Sequence, residues 1–200
     1  MAQPIANPRK AAHPIEPIFT ERWSPRSFTG EDIPVGTLMS ILEAGRWAPS
    51  SYNSQPWRFI WARRGTPAFD VFMKLLLPGN QAWCKDASAL VFVASSKTMT
   101  VAGKDEPVPS RTHSFDAGAA WMAVSMQAHA LGWHTHGMIG VDFETAAEVL
   151  GVPENFHLDM AFAIGRRDDP AKLSEPLRAR EAPNDRRPLA ETAFEGAFPA

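Results

Sequence analysis

Residues 47–59 read WAPSSYNSQPWRF. A Trp-Ala-Pro that ends a helix is followed by Ser50, Ser51, Asn53, Ser54 and Gln55, then by Pro56 and an aromatic run that reads as a strand. A helix-to-strand connection needs roughly two to six residues and one Gly or Asn. It does not need this density of hydrogen-bonding side chains, so the loop is expected to hold something other than itself.

Working outward, the segment before it is a helix that starts near Ile33 with Pro34 in its first turn. Leu38, Ile41, Leu42 and Gly45 form its inward face, and Pro49 stops it. After the loop, Trp57 to Ala62 is expected to be a strand. GTPAFDVFMKLLLPG (65–79) reads as one helix with Thr66 as cap, Pro67 at its first position and Gly79 past its end. ASALVFVASS (87–96) is nearly all apolar, as a strand covered on both faces would be. Residues 100–113 are polar and are expected to form a loop or lid. The longest helix is expected from about Phe115 to Leu131, with Gly132 ending it; FETAAEVLGVPE (143–154) gives a short helix and LDMAFAIGR (158–166) a strand. Helices and strands alternate, so the class is mixed α and β. Residues 1–16, rich in Pro and Ala, read as an extended or disordered arm before a single domain over 17–200.

Composition narrows the function. The 200 residues carry a net charge of −2, which gives no electrostatic case for nucleic acid or an anionic membrane. One cysteine, Cys84, cannot form an internal disulfide and fits a reducing compartment. The amino-terminal stretch has no apolar signal region and no run is long enough to span a bilayer, so a cytoplasmic location is expected. HTHGM (134–138) puts two imidazoles on one face of an extended segment, but no other ligand stands at a diagnostic spacing, so no metal site is expected and His134 and His136 read as packing or pocket-lining residues. There is no G-x-S-x-G, no G-x-G-x-x-G and no Walker A motif. Two arginine clusters remain, Arg22 with Arg26 and Arg186 with Arg187; taken alone such pairs read as solvated surface, although Arg is the side chain suited to bidentate phosphate binding.

Taken in order, RWSPRSF (22–28), ILEAGRWAPSSYNSQPWRF (41–59), DAGAAWMAVSMQAHALGWHTHGMIGVD (116–142), LGVPE (150–154), AIGRR (163–167) and RRPLAE (186–191) resemble the FMN-dependent nitroreductase family. The resemblance runs from about Ile18 to Phe194. It implies an α+β nitroreductase fold, with a central, mostly antiparallel sheet flanked by helices, in an intertwined homodimer that binds FMN at its interface. Arg22 and Arg186 resemble phosphate-binding arginines, with Trp23 and Ser24 in the same stretch, and Arg26 occupies the position facing the flavin pyrimidine. Pro49, Ser50, Ser51, Asn53 and Gln55 resemble the loop that reaches the other subunit's flavin. Asn80 stands where an amide meets the ring edge, and Met138, Ile139 and Gly140 match the segment along the isoalloxazine. Three positions depart from the pattern of many or some members: Asn184 and Trp83 each stand in place of Lys, and Ile139 in place of an acid.

The resemblance implies hydride transfer from NAD(P)H to a small organic acceptor (a nitroaromatic, a quinone, an activated alkene or aldehyde) in ping-pong order. The flavin carries that chemistry, so no catalytic side chain is expected. The alternatives are a flavin-fragmenting or dehalogenating branch of the family, or a flavin-binding protein without turnover.

Overall fold

The structure is a computed structural model that describes residues 6–199. Its elements are α1 (Ile18–Glu21), α2 (Val35–Arg46), β1 (Trp57–Arg63), α3 (Pro67–Lys74), α4 (Pro78–Cys84), β2 (Ala89–Ser96), β3 (Thr98–Met99), β4 (Val108–Pro109), α5 (His113–Ala130), β5 (His134–Met138), α6 (Phe143–Val149), β6 (Phe156–Gly165) and α7 (Glu175–Arg178). Four strands make one sheet in the order β1-β2-β6-β5, with every neighbouring pair antiparallel. The architecture is α+β, a sheet with helices on both faces.

The period-2 geometry of β2 and β6 sorts the core into two layers. Leu90 and Phe92 of β2 and Ala161 and Ala163 of β6 face a cluster with Phe28, Phe69, Phe72 and Trp83. Val91, Val93, Phe162 and Ile164 face the other, with Leu38, Ile41, Val124 and Trp133. The expected inward face of α2, Leu38, Ile41, Leu42 and Gly45, is buried. Gly45 is required by its neighbours: a Cβ there would stand 2.7 Å from Val124 Cγ2 on α5 and 2.9 Å from Phe59 Cζ on β1.

Two expectations are corrected. Residues 65–79 are not one helix ended by Gly79: α3 stops at Lys74 and Gly79 lies inside α4. The leucines between them are taken by tertiary pairing. Leu75 O accepts from Asp142 N at 2.9 Å, and Leu77 N donates to Gly140 O at 2.9 Å. Pro78 then opens a new helix at its first turn. The segment 100–113 is not all loop: Val108–Pro109 pairs back on Thr98–Met99, and α5 begins at His113 rather than Phe115. Of the amino-terminal arm, residues 1–5 lie outside the described residues, and residues 6–16 hold no helix or strand. No helix among the described residues is long and apolar enough to cross a membrane.

Candidate anion and cofactor site

The segment Arg22–Ser27 leaves α1 in extended conformation and is fixed from three sides. From β5, the His136 imidazole donates from Nδ1 to the carbonyls of Ser24 (2.8 Å) and Pro25 (3.1 Å), the tautomer that two carbonyl acceptors require. The ring packs against Trp83 with centroids 4.6 Å apart. Burial, then the Arg26 charge, push its pKa down to about 4, so the ring is neutral at pH 7. From the carboxy-terminal stretch, the buried Glu181 takes the backbone N–H groups of Arg26 (2.7 Å) and Ser27 (2.9 Å) on Oε1, and its Oε2 lies 3.9 Å from Arg26 Nη1. Asp168 N donates to Ser27 O at 2.9 Å, and Phe28 forms a bridge with Arg167.

These restraints border a cavity of about 480 Å³ whose lining includes Arg9, Arg22, Arg26, Arg180 and Arg186, with Trp23, Ser24 and His136. Arg22 Nη1 donates to Ser24 Oγ at 3.3 Å, while its Nε is buried with no partner among the described residues. Burial, then Arg9 and Arg186, lower the Arg22 pKa; burial, then Arg180, lower that of Arg26. Guanidiniums crowded this closely repel one another, and a bound anion relieves the repulsion while supplying the missing acceptor. The cavity therefore suits a phosphate.

The other expected residues lie elsewhere. None of Pro49, Ser50, Ser51, Asn53 and Gln55 lines this cavity in the same chain. Their loop is pinned to α5, where Ser51 N donates to Asp116 Oδ2 at 3.2 Å and Thr112 Oγ1 to the same oxygen at 2.9 Å. Gln55 N donates to Ser50 Oγ at 3.0 Å, and Gln55 Nε2 to Asn53 O at 3.0 Å. Tyr52, Asn53 and Gln55 all take positive φ (53°, 53° and 46°) and are exposed. A third group forms around the end of β5. Asn80 on α4 donates from Nδ2 to Gly140 O at 3.0 Å, Met138 is buried with its sulfur 3.6 Å from Cys84 Sγ, and Ile139 is 78% exposed. Burial pushes the Cys84 thiol well up from its ordinary pKa, so it is no nucleophile. Arg187 stays outside the arginine cavity, 3.9 Å from Glu191. Among the described residues no group of three His, Cys, Asp or Glu side chains is placed to hold a metal.

The sequence reading missed Arg9, Arg180 and Glu181. Arg9 stands beside Lys10 in a Pro- and Ala-rich arm without a motif, and Arg180 and Glu181 sit in a polar stretch without periodicity, so neither offered a signal.

The Nitroreductase family model matches residues 19–68 and 65–166. The chain belongs to that family. Among solved structures, a crystal structure of an oxidoreductase containing FMN is 45% identical, covers 98% of this chain and 99% of its own, and superposes with a TM-score of 0.93. A protein described as a candidate nitroreductase, in complex with FMN, from Desulfovibrio desulfuricans is 27% identical with a TM-score of 0.69, over 93% of this chain and 100% of its own. A Thermus thermophilus NADH dehydrogenase is 25% identical over 174 residues, 72% of this chain and 82% of its own.

Proposed function

We propose that this nitroreductase-family chain is an FMN-dependent oxidoreductase that works as a homodimer and passes hydride from NAD(P)H to a small organic acceptor in ping-pong order. The observation that carries the reading is the arginine cavity built on Arg22–Arg26, with a buried Arg22 Nε that has no partner among the described residues. The FMN-containing relative at 45% identity over nearly the whole chain supports the choice of cofactor. The relative named as an NADH dehydrogenase supports a nicotinamide donor.

Arg22 and Arg186 would hold the phosphate with Trp23 and Ser24 beside it, and Arg26 would present its cation to the pyrimidine. Asn80, Met138, Ile139 and Gly140 would border the ring. Bound FMN supplies a two-electron carrier, which is why no protein general base is needed. His136 stays neutral and keeps the Ser24–Pro25 carbonyls in place, so the arginines are held before a ligand arrives. The exposed loop with Pro49, Ser50, Ser51, Asn53 and Gln55 would complete the site of a second subunit.

Anaerobic titration with NADH and NADPH, followed at the flavin absorbance, tests the reading. Stoichiometric bleaching reversed by a quinone or nitroaromatic supports it. A bound flavin that neither donor reduces would make the protein a carrier, and purification without flavin and without FMN affinity would remove the reading altogether.

A further inference from the structure

We propose that Arg9, on the amino-terminal arm, is a third phosphate-binding residue, and that the arm and the carboxy-terminal stretch at Asn184 close together on the phosphate. The proposal rests on the anion-site reading above and extends it to a part of the chain outside the matched family region.

Arg9 lines the cavity with Arg22 and Arg186. Its Nη1 donates to Arg22 O at 2.7 Å and to Thr20 O at 3.2 Å, and its Nε to Asn184 O at 2.6 Å. Three carbonyls thus engage Nε and Nη1, while Nη2 has no acceptor among the described residues. Burial, then the Arg186 charge, lower its pKa. A strap serving only to tie two backbone segments gains nothing from standing beside two like charges; a neutral donor would do the same work without repulsion. The charge makes sense as part of a phosphate clamp, because a phosphate offers enough acceptor sites for several donors at once. Asn184 contributes a carbonyl here and no charge. Arg9 adds to Arg186 a second cation on that side of the cavity, supplied from the opposite end of the chain.

The test compares FMN with riboflavin, which lacks the phosphate, for the full-length protein stripped of cofactor and reconstituted. Arg9→Gln is expected to weaken FMN binding about tenfold and leave riboflavin within about twofold, with Arg9→Lys in between. Equal losses for the two ligands, or no loss for either, overturn the proposal. Arg22→Ala is the control. If it discriminates between the ligands and Arg9→Gln does not, Arg9 is a strap and the phosphate site stands. If Arg22→Ala itself fails to discriminate, the anion-site reading fails. Should Arg9→Gln not fold, hydrogen exchange of the wild-type protein decides. Protection of residues 6–16 by FMN but not by riboflavin supports the clamp, and equal protection by both, or by neither, overturns it.

Discussion

The arginine cavity and the 49–55 loop are both dense in polar side chains, and they are built in opposite ways. In the cavity, groups from both chain ends, from the segment that follows α1 and from β5 converge, and the Arg22–Ser27 segment is tied by His136 and by the buried Glu181. The loop is held by Ser51 N on Asp116, by short-range bonds of Gln55 to Ser50 and Asn53 and by three residues in left-handed conformation, and it turns Tyr52, Asn53 and Gln55 outward. A cavity closed within one chain is prepared for a ligand by that chain. A loop that holds its own shape and turns Tyr52 and Asn53 to its exposed side is prepared for a surface the chain does not itself contain. On the proposed reading, one half of the flavin site is finished in the protomer and the other half requires a partner.

The largest expected effect breaks the self-contained half. Arg22→Ala and Arg186→Ala each remove charge-assisted contacts worth about 1.5–3 kcal/mol. The double variant should lose more than a hundredfold in FMN affinity by equilibrium titration, at any protein concentration. Undiminished binding would falsify the assignment of the phosphate to this cavity.

Next comes the footing of the loop. Gly45 lies where α2 passes α5 and β1, and a Cβ has 2.7 Å to Val124 Cγ2. Gly45→Ala should cost about 1–3 kcal/mol of stability in urea unfolding through overpacking, because α2 leads directly into the loop while Val124 belongs to the helix that carries Asp116. A neutral result would mean that the two helices shift apart freely, and then the loop is not rigidly carried.

The third effect is a pH dependence located in the cavity. The folded pKa of His136 lies near 4, below the ordinary 6.5, so the unfolded chain binds more protons between those values. Stability from keeping this ring neutral is present above pH 6.5 and is lost as pH falls toward 4. Between pH 7 and pH 4.5 the loss should be about 2 kcal/mol from this residue. His136→Asn keeps an N–H donor for the Ser24 carbonyl and does not titrate, so its unfolding free energy should fall less over the same interval. Identical pH profiles for the two proteins would show that the ring is not the group responsible. His134, also pushed to about 4 by burial and then His129, contributes in the same direction in both proteins.

How far the sequence reveals these two halves differs for the same physical reason. The loop is contiguous, so its polar density stands out along residues 50–55, as do the stripe Leu38–Ile41–Leu42–Gly45 and the apolar run of β2. Local periodicity and turn chemistry mark such features directly. The break between α3 and α4 is not local: Leu75 and Leu77 abandon the helix to pair with Asp142 and Gly140, some sixty residues on. The cavity is legible only where it coincides with a motif, at Arg22–Arg26 and Arg186. Arg9 meets Asn184 across 175 residues of chain, and nothing in either neighbourhood announces the meeting. Glu181 is likewise a buried carboxylate in a stretch that reads as a polar tail.

The smallest expected effect sharpens the claim about the loop. Asn53 holds φ at 53°, a conformation that Asn and Gly accept more readily than other residues. Asn53→Gly therefore removes the side chain while leaving the backbone at ease, and the hydrogen bond from Gln55 Nε2 to the Asn53 carbonyl needs no side chain at position 53. The exposed amide makes few contacts within its own chain, so unfolding stability measured under monomeric conditions should stay within about 0.5 kcal/mol of wild type. If the side chain serves the flavin of a second subunit, the loss should appear only when subunits associate: FMN affinity of the wild type should rise with protein concentration, and that rise should be smaller in the variant. The double arginine variant lowers affinity at every concentration, so the two classes of change separate on one set of dilution curves. Wild-type affinity that does not vary with concentration, in protein shown by sedimentation to pass from monomer to dimer over the same range, would mean that the loop serves no partner's site and that each chain's cavity is the whole of it.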